Sequence, residues 1–167
     1  APKRRHYLSM RFFLAMLVAI PLAYFFYYSP ASEKRAKLLL EALRFIPPLS
    51  LIPLLILWLG IGEAAKLSIV FLASFFPIYL NVFSGFKQID KSYKELAFML
   101  RLNRMERFKH IEFPASLPNI FTGLRLGFGY SWRALVGAEL IAASSGLGYL
   151  IGDASEMSRT DKVFVGI

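Results

Sequence analysis

KELAFMLRLNRMERFKHIEFPASLP, residues Lys94 to Pro118, is a long polar, basic stretch in a chain whose other long segments are apolar. Leu96, Met99, Leu100, Asn103 and Phe108 stand at i, i+3, i+4, i+7 and i+12, with Lys94, Arg101, Arg104 and Arg107 around them. That is roughly the period of an amphipathic helix. Phe113-Pro114 and Leu117-Pro118 are expected to stop helices, because proline lacks the donor and restricts the residue before it. A basic, amphipathic, proline-terminated helix pair between two apolar runs reads as a segment held out for a partner to grip.

The rest of the composition agrees with a membrane setting. Of 167 residues, 56% are hydrophobic and 19% charged, and the mean hydropathy is +0.50. This places the chain among integral membrane proteins. The net charge of +9 fits either nucleic-acid binding or the Lys and Arg excess of cytoplasmic loops. The clustering of the charge between apolar runs favours the loops. Without cysteine there is no disulfide framework and no thiolate metal site. No small-residue cleavage site follows Tyr27-Tyr28, so the first apolar run is not read as a cleaved leader. The chain starts on Ala1 and its last residues open a new apolar run, so it is read as a piece of a longer protein.

The expected fold is all-α: a single polytopic transmembrane helical bundle with spans over residues 12–28, 45–62, 66–86 and 119–144, and a cytoplasmic loop over 87–118. Residues 1–11 read as a basic interfacial tail. Phe12 to Tyr28 is uncharged and ends in Tyr24, Tyr27 and Tyr28, which suit an interfacial aromatic belt. Ala31 to Arg44 reads as a short amphipathic helix on the cytoplasmic side, with Ser32 as its N-cap. The run 45–62 is interrupted by Pro47, Pro48 and Pro53. Two readings stand: a pore-lining segment with freed carbonyls, or merely a kinked helix. Lys66 begins the third span, where it is expected to snorkel. Lys87 to Lys109 holds seven basic and three acidic residues, which places it inside. Counting back puts residues 1–11 outside, against the same rule.

The fourth expected span carries Arg125, Arg133 and Glu139. Charges at that depth normally face a bundle interior or water. Arg133 and Glu139 border a pathway for an anion, or they form a structural pair or subunit contact. Gly123, Gly127 and Gly129 permit close helix approach. Ser144 to Tyr149 is too glycine-rich to continue the helix.

Much chemistry is excluded. There is no phosphate-binding Gly-Lys-Ser/Thr loop, so the chain is not expected to hydrolyse ATP itself. His6 and His110 build neither a metal cluster nor a triad. No carboxylate pair lies at helical spacing within a span, which argues against a proton relay. Energy must enter from another chain, through the exposed loop.

The same loop resembles the cytoplasmic loop of permease subunits of bacterial ABC importers, which reads E-A-A, three residues, G, nine residues, I, one residue, L-P. Here the positions are Glu95-Leu96-Ala97, Arg101, Ile111 and Phe113-Pro114, with no gap. Leu96, Arg101 and Phe113 depart from the pattern, and Arg101 takes the family glycine's positive φ only at a cost. Residues 42–63, 75–81, 122–129 and 138–151 are similar to the branch associated with sulfonate, taurine and nitrate uptake. The resemblance implies a multi-pass inner-membrane importer subunit and a second permease chain, as a homodimer. It also implies two ATPase subunits that bind ATP and Mg, and an extracytoplasmic solute-binding protein; no cofactor sits in this chain. ATPase coupling would fall to Glu95, Leu96, Ala97, Arg101, Ile111 and Pro114, and the pathway to Pro47, Pro48, Pro53, Arg133 and Glu139. Membrane lipid is the remaining partner, and nucleic acid is not expected. The alternative is a membrane-anchored scaffold or enzyme whose basic loop, with Tyr93, Phe98 and Phe108 among its cations, binds anionic lipid or nucleic acid.

Overall fold

A computed structural model describes residues 2–142 and 145–166; the end of the expected fourth span, at 143–144, lies outside them. Every regular element among the described residues is helical. In order these are α1 (Pro2–Tyr28), α2 (Pro30–Phe45), a 3-10 turn (Pro48–Leu51), α3 (Ile52–Leu59), α4 (Glu63–Lys87), α5 (Lys91–Met99), α6 (Arg104–Arg107), a π-turn (Phe108–Glu112), α7 (Phe113–Ala142), α8 (Leu147–Glu156) and α9 (Thr160–Gly166).

The centre is α4, packed between α1 and α7. α1 offers it a stripe of small residues four apart, Ala15, Ala19 and Ala23, all fully buried. These let the backbones approach closely, and van der Waals contact then carries the association where lipid removes the hydrophobic drive. On the other side, Gly123 and Gly127 of α7 lie against Ile78 and Ser74 of α4. Gly129, grouped with them on sequence, has open space where a Cβ would stand. Two helices are long and apolar enough to cross a membrane, over Arg11–Tyr28 and Glu63–Lys87. α7, with its three charged residues, is not among them.

The N-terminal segment expected as a tail is helical from Pro2 onward. The run 45–62 is not one helix. α2 and the segment Pro48–Leu59 meet at 82°, and α3 alone has eight residues, about 12 Å, far short of a bilayer core of about 30 Å. The prolines explain the break. Pro47 is the N-cap residue of the 3-10 turn, and Pro48 and Pro53 occupy helix starts, where a missing donor costs nothing. The Pro47 carbonyl accepts from the Ser50 amide and hydroxyl at 3.0 and 2.7 Å, so it is not freed.

α2 and Pro48–Leu59 together are long and apolar enough for a broken crossing or a re-entrant loop. The start of α2 is tied to the loop end of α4 by Lys87 Nζ and Glu33 at 2.8 Å. Its far half faces Phe76 and Leu80, midway along α4. Ile52 of α3 then packs with Ile69, Ala73, Ala134 and Ala138, nearer the other end. Ser29, not Ser32, occupies the N-cap of α2, and its hydroxyl donates to that of Ser32 at 2.8 Å. Lys66 is buried, and its Nζ reaches back to Glu63 at the start of α4 at 3.3 Å.

Candidate functional site

The loop after α4 opens with Asp90, whose carboxylate accepts from the backbone N–H and the hydroxyl of Ser92, both at 2.8 Å. These bonds, the backbone one first, hold the Asp90 pKa below its ordinary value and satisfy an orphan donor at the start of α5. α5 ends at Leu100, and Arg101 follows with φ +48°. The Leu102 N–H donates to the Ala97 carbonyl at 3.1 Å, and the Arg101 N–H to the Phe98 carbonyl at 3.0 Å. These are the two bonds of a Schellman cap, whose left-handed position usually falls to glycine. The turn that Arg101 was expected to resist is thus formed, at a cost of about 1–2 kcal/mol.

Asn103 then starts a second helix. Its side chain accepts from the Glu106 N–H at 2.9 Å, and the Glu106 carboxylate accepts from the Asn103 N–H at 2.9 Å. This reciprocal capping box takes Asn103 out of the apolar face to which its spacing had assigned it. From Arg104 the helix runs on through the π-turn into α7. Phe113-Pro114 and Leu117-Pro118 do not stop it. Pro114 stands in the first turn of α7, where its N–H is not needed, and Pro118 lies within the helix.

The sequence-predicted coupling residues divide by exposure. Glu95, Leu96 and Arg101 are exposed, and Ala97 is buried. Beside them Phe98 and Met99 are 86% and 77% exposed, forming an apolar patch bordered by charge. Ile111 is half-buried and Pro114 exposed.

The sequence reading missed Glu112. It is 1% exposed and accepts from Arg107 Nε at 2.6 Å, the Tyr28 hydroxyl at 2.7 Å and the Tyr24 hydroxyl at 3.3 Å. Burial works to lower the Arg107 pKa, but the Glu112 carboxylate, by hydrogen bond and charge, carries it above its ordinary value. The guanidinium of Arg104 lies 4.3 Å from the Tyr28 ring, and Lys94 Nζ lies 5.4 Å from the Tyr27 ring. Phe108 closes the cluster, 4.6 Å from Tyr24 and 6.5 Å from the buried Phe86. The tyrosines expected as an interfacial belt therefore clasp the loop. The available signal was spacing: Glu112 stands four residues after Phe108, on the face that the period turns inward.

The proposed pathway residues are not brought together. Arg133 is exposed, its guanidinium 5.9 Å from the Tyr130 ring. The Glu139 carboxylate accepts from the Gly148 N–H at 3.1 Å. It sits at the N-terminus of α8, where a negative charge is favourable. No ion pair joins the two among the described residues. Pro48 borders a groove of about 670 Å³ between α2 and α4; Pro47, Pro53, Arg133 and Glu139 do not.

The family model described as the inner-membrane component of binding-protein-dependent transport systems matches residues 12–167. The putative aliphatic sulfonates transport permease protein SsuC of Bacillus subtilis is 44% identical over 77% of this chain and 46% of its own length. The taurine transport system permease protein TauC of Escherichia coli is 36% identical over 96% of this chain and 58% of its own. The nitrate import permease protein NrtB of Synechocystis is 35% identical over 76% and 46%. The chain thus spans about half the length of these curated relatives.

Proposed function

This chain belongs to the family of inner-membrane components of binding-protein-dependent transport systems, and on that premise we propose that it forms the membrane pathway of an ATP-driven importer for a small anion and receives its power through α5. The solute class is an aliphatic sulfonate, taurine or nitrate, in keeping with what its relatives are named for. Two copies of the chain enclose the pathway, two ATPase subunits supply ATP and Mg, and a receptor delivers solute from outside.

One observation carries this reading: α5 presents Leu96, Phe98 and Met99 outward while the segment behind it is locked to α1 through Glu112. Apolar side chains exposed beside charges suit a protein partner. A rigid mount behind them lets a partner's movement pass on instead of being absorbed. Glu95 meets the ATPase on this reading, whereas Ala97, expected beside it, is buried and leaves the contact to the exposed residues. The Arg104–Ala142 helix carries the displacement into the bundle, and differential contact in two states does the switching.

The test is Glu95→Lys in the full permease with its ATPase and receptor. Uptake and receptor-stimulated ATP hydrolysis are expected to fall together, with membrane insertion intact. Unchanged coupling sinks the reading. Salt-sensitive binding to anionic vesicles or an oligonucleotide, with no ATPase co-purifying, would favour the scaffold alternative.

A further inference from the structure

Arg44 was read from sequence as the end of a surface helix, and the fold moves it. Glu33, tied to Lys87, marks the loop end of α4. Arg44 is eleven residues further along α2 and exposed, about 16 Å from that end along the helix axis at 1.5 Å per residue. The neighbours agree with that position. Arg44 lines the 670 Å³ groove together with Phe76, Pro77 and Leu80 from the middle of α4.

The groove is otherwise largely apolar. Asn81 lines it too, but its amide donates to the Pro77 carbonyl at 2.8 Å. Tyr130 contributes a hydroxyl from α7. Arg44 makes no ion pair among the described residues, and its guanidinium lies 5.6 Å from the Phe45 ring. Arg44 also borders the adjoining smaller cavity, whose charged lining is Glu33, Lys37 and Glu41. A charge at membrane depth persists where it faces water or a counter-ion, not lipid. A planar guanidinium with an unused fork of donors is suited to an oxyanion, which it grips bidentately.

We propose that Arg44 is the anion-binding residue of the translocation pathway, holding a sulfonate-sized oxyanion in the groove between α2 and α4. The inference rests on the proposed import of small anions and adds the residue that meets the anion within the membrane. It replaces Arg133, which lies outside this groove.

Residues 1–167 hold no cysteine, so a direct test is available once any cysteine elsewhere in the full permease is replaced by serine. Arg44→Cys and, as a control, Leu39→Cys are made in the full permease, assembled with its ATPase in nanodiscs and treated with a charged, membrane-impermeant thiol reagent. Arg44→Cys is expected to react at least tenfold faster than Leu39→Cys, whose side chain is exposed on the same helix. In proteoliposomes with saturating receptor, Arg44→Gln is expected to lower maximal taurine, ethanesulfonate or nitrate uptake at least tenfold. Arg44→Lys should retain more of it. An inert Arg44→Cys, or Arg44→Gln with wild-type uptake, overturns the proposal. So does loss of assembly in Arg44→Gln, which would make Arg44 a subunit contact. If the wild-type protein moves no anion at all, the functional reading falls first and takes this one with it. Wild-type anion uptake with an indifferent Arg44 sinks this inference alone.

Discussion

Arg107 Nε lies 2.6 Å from Glu112 Oε1, although the two residues are five apart on one continuous helical segment. Five steps of an α-helix would turn them about 140° away from each other. The π-turn over Phe108–Glu112 widens the spiral so that a residue and the fifth one on are near neighbours. The same widening aims Glu112 at Tyr24 and Tyr28 on α1. An irregular turn thus makes the joint between the loop and the bundle.

Removing that carboxylate leaves Arg107 without its anion and two tyrosine hydroxyls without an acceptor. Glu112→Ala is expected to cost about 3–5 kcal/mol, the range for breaking a buried pair from one side. Tyr28→Phe, which deletes one hydrogen bond, should cost about 1 kcal/mol. Thermal unfolding in detergent, compared with wild type, measures both. Equal costs would mean that Glu112 is not the hub.

Arg101 holds a left-handed conformation that glycine adopts without strain. Arg101→Gly should therefore be neutral or stabilising by up to about 1 kcal/mol, and Arg101→Val should be destabilising. Proteolysis of the 94–110 loop under native conditions should slow in the first and quicken in the second. If Arg101→Gly loosens the loop, the side chain rather than the backbone holds the turn.

Asp90 provides the pH dependence. Its pKa is lowered by the bonds from Ser92, so the charged form is favoured in the folded loop. Its contribution is complete above the unfolded value of about 3.9 and is lost as pH falls below that through the depressed folded value. Amide exchange at Ser92 and Tyr93 should lose protection in that acid range. Asp90→Ala should lack the protection at neutral pH as well. A cap that weakens between pH 5 and 8 would contradict the assignment.

The two faces of α7 give a matched pair. A Cβ on Gly127 would stand 2.8 Å from the Ile78 side chain and 3.2 Å from the Ser74 carbonyl, whereas one on Gly129 meets nothing within 4 Å. Gly127→Val should cost about 1–3 kcal/mol by overpacking. Gly129→Ala should be neutral or gain up to about 1 kcal/mol of helix propensity. The difference in melting temperature between the two variants checks this, and similar values would mean α4 and α7 do not touch along the Gly127 face.

Glu139 caps the start of α8 through the Gly148 N–H. Glu139→Gln keeps an acceptor for the Gly148 N–H and should preserve both transport and stability, while Glu139→Ala should destabilise α8 by about 1 kcal/mol. Loss of transport in the stable Glu139→Gln variant would return this residue to the pathway.

Some of this molecule was fixed by sequence alone. Uncharged runs of sufficient length fixed α1 and α4, because lipid tolerates few alternatives to a helix. The spaced residues from Glu95 to Pro114 pointed to the family whose model matches residues 12–167. Other features required the fold. Pro47 and Pro53 were legible as breaks, but not the 82° angle at which α2 and Pro48–Leu59 would meet. Arg44 and Arg133 look alike in the chain, and only the packing of α2 beside α4 puts Arg44 in a groove. Glu112 is one carboxylate in a basic loop until α1 brings two tyrosines to it. Periodicity reports which face of a helix turns inward, but it carries no information about which distant residue waits there. For a buried charge that partner decides whether it is a hinge, a cap or a site.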